Sequence, residues 1–107
     1  MTNFISTGST YWISDEEIQI LEKNATNGDK NSAFKLYQYH MFVSLDQDSE
    51  FKWLEIAAKN GHPIAQSNLA DLFFTQGNKE KVIFWAKKAY RNGAKLPDEL
   101  KILININ

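Results

Sequence analysis

Ala25-Thr26-Asn27-Gly28, Ala58-Lys59-Asn60-Gly61 and, one residue looser, Ala89-Tyr90-Arg91-Asn92-Gly93 repeat one alanine-to-glycine step at intervals of 32 to 33 residues. The register extends beyond the glycines. Ala33 matches Ala65, Tyr37 matches Leu69, Trp53 matches Trp85 and Ala57 matches Ala89, each pair 32 apart. A period in the low thirties is the length of two helices plus two turns, and such units bury a continuous core only by stacking on one another. The pattern predicts an all-α repeat architecture.

Local signals place the helices. Ser14-Asp15-Glu16-Glu17 has a hydroxyl at an N-cap and a carboxylate three residues on, a capping box opening a helix that carries Ile18, Leu21 and Ala25 inward and stops at Asn27-Gly28. A second helix is expected from about Lys30 to Val43. Asp46, Asp48 and Ser49 offer several N-caps for a third, from about Ser49 to Lys59, which buries Trp53, Leu54 and Ala57 and ends at Gly61. Pro63 suits the first turn of a fourth, with Ala65, Leu69, Leu72 and Phe73 as its buried stripe. Gln76-Gly77-Asn78 makes the next turn and cap, and a fifth helix from Lys79 to Arg91 turns Val82, Trp85, Ala86 and Ala89 inward. Pro97 or Asp98 opens a short last helix, although the β-branched residues of Ile102 to Ile106 also suit a strand. Alanines at positions 25, 33, 57, 58, 65 and 89 let helix backbones approach, while Trp53 and Trp85 fill the wider gaps.

The run Trp53-Leu54-x-x-Ala57-Ala58-x-x-Gly61-His62-x-x-Ala65-x-x-x-Leu69-x-x-Leu72-Phe73-x-x-x-Gly77 resembles the Sel1-like repeat, a relative of the tetratricopeptide repeat. Phe84 to Ala89 with Gly93 resembles a second copy of its first half, and Ile20 to Tyr37 a degraded earlier one. The pattern departs from the family at Gln38, where a small residue is usual, and after Phe42, where the usual glycine is missing. The resemblance implies a short right-handed α-hairpin solenoid of about two and a half repeats and five to six helices. In one domain over 1–107, residues 1–13 form an N-terminal cap segment, 14–100 the repeats and 101–107 a tail. It also implies a scaffold that holds other proteins and has no catalytic residues of its own.

Candidate chemistry is sparse. His40 and His62 have no second ligand at a recognisable spacing, and packing or capping accounts for both. The acids of Asp46-x-Asp48-x-Glu50 lack the glycine and distal glutamate of a calcium loop. No cofactor motif is present and no metal is expected. The informative excess is aromatic. Superposing the repeats sets Phe34 on Gln66, Gln38 on Ala70, Tyr39 on Asp71 and Phe42 on Phe74, all off the main buried stripe. In a two-helix solenoid the first helix of each unit lines the concave side, so Phe34, Gln38, Tyr39, Phe42, Gln66, Asp71 and Phe74 are expected to form a partner-binding face. The competing expectation packs Phe34 and Phe42 against Phe4, Tyr11, Trp12 and Ile13.

Composition limits the partners. The sequence of 107 residues, 43% hydrophobic and 13% aromatic, is not that of a disordered chain. The absence of cysteine excludes disulfides and thiolate metal sites. A net charge of −1 gives no simple electrostatic case for nucleic acid or anionic lipid. Met1 to Trp12 has neither base nor apolar run, so a cytoplasmic protein with no membrane segment is expected. Charge is uneven, with eight acids against four bases through Leu54 and five against eight beyond it. That asymmetry is either a drift of solvated faces or a match to a charged partner. Small proteins of this repeat type resemble cytosolic immunity proteins that neutralise bacterial toxins, and a generic adaptor for a peptide or larger assembly is the alternative. Homo-oligomer formation through Leu100 to Ile106 is a further expectation.

Overall fold

A computed structural model describes residues 10–105, which form six α-helices: α1 (Asp15–Thr26), α2 (Lys30–Tyr39), α3 (Gln47–Lys59), α4 (Pro63–Thr75), α5 (Lys79–Arg91) and α6 (Asp98–Leu103). No strand occurs among the described residues, so the chain is all-α. Each helix packs chiefly on its neighbours in sequence. Helices α3, α4 and α5 have 13 residues each and are joined by three-residue connections, which are too short for anything but an antiparallel return.

The connections are built alike. At the end of α3 the His62 N–H donates to the Ala57 carbonyl and the Gly61 N–H to that of Ala58, both at 3.0 Å. This pair of bonds closes the helix and requires a left-handed residue between them, here Gly61 at φ +98°. The same pair recurs where Asp29 reaches Asn24, Asn78 reaches Phe73 and Ala94 reaches Ala89. In this register Ala89 stands where Ala57 stands and Tyr90 where Ala58 stands. The third alanine-to-glycine step is therefore no looser than the others.

Helix starts follow the expected chemistry, with two corrections. Ser14 accepts the Glu17 N–H at 3.2 Å, but the Glu17 carboxylate turns to Lys35 Nζ at 3.1 Å, leaving half a capping box. Helix α3 begins two residues before the expected Ser49, because Asp46 accepts from both the Ser49 N–H (3.4 Å) and its hydroxyl (2.9 Å). Asn78 caps α5 as expected.

The second helix departs further. It is α-helical only to Tyr39, and His40–Ser44 widen into a π-helical turn. The connection ends on Leu45 at φ +58°, where the other connections place glycine. A bulky residue in that conformation costs about 1–2 kcal/mol. The glycine missing after Phe42 is thus answered by an altered turn and a left-handed leucine.

One contiguous cluster of buried residues runs from Ala25 to Ile104 and includes Trp53, Trp85 and fully enclosed Leu36 and Leu69. Ala33, Ala57, Ala65 and Ala89 have no exposure at all. Asp98–Leu103 form a helix rather than a strand, and Ile104 and Asn105 turn out of it. Leu100 and Ile104 are buried in the cluster, which removes them from the expected oligomer contact, although Ile102 stays exposed; Ile106 lies outside the described residues. The boundary set at residue 100 falls inside α6. Of the N-terminal segment, Phe4 lies outside the described residues, whereas Ile13 is buried and Tyr11 stacks on Phe42 with centroids 4.5 Å apart. No helix among the described residues is long and apolar enough to cross a membrane.

Candidate functional site

The seven residues expected on one face divide among several environments. Phe34, on α2, is half-buried and stacks on His62 at 4.0 Å and 14°. Gln38 lies one turn on and, with Phe34, His62 and Trp12, lines a groove of ≈ 350 Å³. Phe42 is held by Tyr11, while Tyr39 meets the edge of His40, whose Nδ1 lies 2.7 Å from the Ser44 hydroxyl. Phe74 is exposed beside Lys79 and Leu103. The packing of Phe42 on Tyr11 agrees with the competing expectation for that ring.

Gln66 does not belong to a surface. It is 3% exposed, and its Nε2 donates to the Ala58 carbonyl at 3.0 Å while its Oε1 accepts from Asn92 Nδ2 at 2.9 Å. The amide fastens the start of α4 to the ends of α3 and α5.

Asp71 opens onto a groove of ≈ 610 Å³. From α3 come Gln47, Glu50, Phe51 and Leu54, and from α4 come Asn68, Asp71, Leu72 and Thr75, with Gln76 beyond. Antiparallel packing brings the first half of α3 beside the second half of α4, and the spacing within each helix is i, i+3/i+4, i+7. Tyr37 of α2 forms part of the wall, and its hydroxyl accepts from Asn68 Nδ2 at 3.3 Å. Burial raises the Tyr37 pKa above 10; the Asn68 bond opposes that shift and the Glu50 charge adds to it. The phenol therefore keeps its proton, and accepting from Asn68 leaves that proton free to donate. Apolar Leu54 and Leu72 alternate with amides and two carboxylates, Glu50 and Asp71, and no lysine or arginine lines the groove.

Reading the sequence for this site identified only Asp71. The polar series Asn68, Asp71, Thr75 at helical spacing is a signal that could have found the rest of its α4 wall.

The chain is 33% identical over 95 residues to a protein of Escherichia coli (strain K12) named "Uncharacterized protein YibG". The match takes in 82% of this chain and 62% of YibG, so the chain spans less than two thirds of that relative's length. No family model and no solved structure matches the chain.

The histidines have structural partners. His62 caps α4 through Nδ1, which accepts the Ala65 N–H at 3.3 Å, a bond available only to the neutral ring. Burial, aided by the charge of Lys30, holds its pKa below 6.5. Burial likewise lowers His40, against the opposing charges of Asp46 and Glu22. Among the described residues no three histidines or carboxylates converge as a metal site.

A folded-state pKa below the unfolded value means that the unfolded chain takes up the proton first. Stability carried by the histidines is present above pH 6.5 and lost as pH falls through the folded values. Between pH 7.5 and 5.5 the Tm is expected to fall by up to about 5 °C, both rings being partly exposed. His62→Asn, which keeps a capping side chain, is expected to flatten that fall in a series of thermal melts.

Proposed function

We propose that this chain is a short α-hairpin solenoid of about two and a half Sel1-like repeats that acts by binding another protein. Most concretely, it is an immunity protein that occludes a bacterial toxin. The observation that carries the reading is the α3–α4 groove, an open surface where apolar side chains alternate with amides and carboxylates. Such mixed lining suits a polypeptide, whose side chains need apolar contact and whose backbone needs donors and acceptors. The shared helix closures and the 13-residue helices support the repeat assignment. Both histidines are engaged in capping or turn contacts, which supports a role without catalysis.

An interface of standard size, roughly 800 Å² per partner, would include this groove and the surface around it, and suits one dedicated protein. Affinity capture with the tagged chain from its native cell, followed by mass spectrometry and a mass measurement of the complex, tests the reading. The expected result is one stoichiometric partner that arrests growth when expressed alone and is relieved by co-expression. Several weak partners would replace the immunity assignment with a generic adaptor, and no partner at all would overturn protein binding.

A further inference from the structure

We infer that the α3–α4 groove receives an extended, lysine- or arginine-bearing segment of the partner protein. The inference rests on the protein-binding reading and adds the chemistry of the ligand. Glu50 stands on the α3 wall and Asp71 on the α4 wall, so a side chain lying along the groove passes between two carboxylates with no lining base to neutralise them. The nearby Lys52 and Lys81 lie over the rings of Trp53 and Phe73, outside the groove lining.

The rest of the lining suits a backbone. The α4 wall extends from Asn68 to Thr75, about 10 Å at 1.5 Å per residue, which matches roughly three residues of extended chain. Along that length the Asn68 amide and the hydroxyl of Tyr37, an otherwise buried residue that lines the groove, offer a hydrogen-bond set to a peptide group. Leu54 and Leu72 provide the apolar floor for alternate side chains. The carboxylates disfavour nucleic acid, whose phosphates they repel. They also disfavour an acidic segment. The two lining carboxylates, with no base among the lining residues, give a local field that would speed capture of a basic segment.

The probes are two capped hexapeptides, GLKLKG and its acidic counterpart GLELEG, titrated into the isotopically labelled full chain. The side-chain amide signals of Gln47, Asn68 and Gln76 are the readout. The lysine peptide is expected to shift these signals saturably and the glutamate peptide to leave them in place. Glu50→Gln with Asp71→Asn is expected to weaken the lysine peptide about fivefold to tenfold, as loss of two exposed charge contacts allows. Circular dichroism and Tm establish that the variant is folded, and each single exchange serves if the pair is not. Equal response to both peptides, shifts centred elsewhere, or unchanged affinity in a folded variant would overturn the inference. So would concentration-dependent dimerisation that occupies the same signals, which would assign the groove to a second copy of the chain. If a partner is captured but binds the variant as tightly as the native chain, this inference fails while the protein-binding reading stands. If no partner is captured, that reading fails first.

Discussion

Leu69→Ala is expected to cost about 3–5 kcal/mol and to lower Tm by at least about 10 °C. Leu69 is fully enclosed in the middle of α4, the helix that packs on both α3 and α5. Truncation removes the transfer energy of the missing carbons and leaves a cavity that two helices, already held by three-residue connections, have little freedom to close. Against a total of roughly 5–15 kcal/mol for a small domain, such a loss is a large fraction. Urea unfolding followed by circular dichroism checks it, with Leu72→Ala, half-buried at the groove, as a milder comparison. A loss below about 1 kcal/mol for Leu69 would mean that α4 is not the centre of the packing.

The opposite error should be nearly as costly. Ala57→Leu is expected to destabilise by about 1–3 kcal/mol although it adds apolar surface and improves nothing else. Ala57 has no exposure, follows Trp53 by one turn, and offers its carbonyl to the His62 N–H that closes the helix. Added carbons must displace a neighbouring backbone or force Trp53 from its rotamer, and either movement strains the closure into α4. Thermal melts compared with Ala57→Ser, close to alanine in volume, separate crowding from any intolerance of substitution. Equal Tm for the native chain and the leucine variant would refute the close approach of helix backbones read from these alanines.

Much of this fold was legible because its signals are local. A glycine that closes a helix, a proline at its first turn and an asparagine at its cap each act within a few residues, and Gly61, Pro63 and Asn78 do what their chemistry requires. Where several residues competed for one role, the outcome depended on atomic geometry. Asp46 outbid Ser49 as a cap because its two oxygens engage both donors of that serine. The π-helical turn was hidden because a missing glycine says that the turn must change, not how. The candidate site was less legible for a related reason. Gln66 reads as a surface residue by polarity, yet its partners Ala58 and Asn92 come from helices whose approach no short stretch encodes. Tyr37 reads as core, and only the meeting with Asn68, 31 residues away, makes it part of a groove wall.

The glycine corners pose a question of chirality rather than of room. A Cβ built on Gly61 would meet no atom within 4 Å, yet its φ of +98° is one that left-handed amino acids rarely adopt. A D-alanine installed there by chemical synthesis would sit at ease, with less freedom to lose on folding than glycine has. The corner is a mirror-image position in an ordinary chain, occupied by the one residue that has no hand.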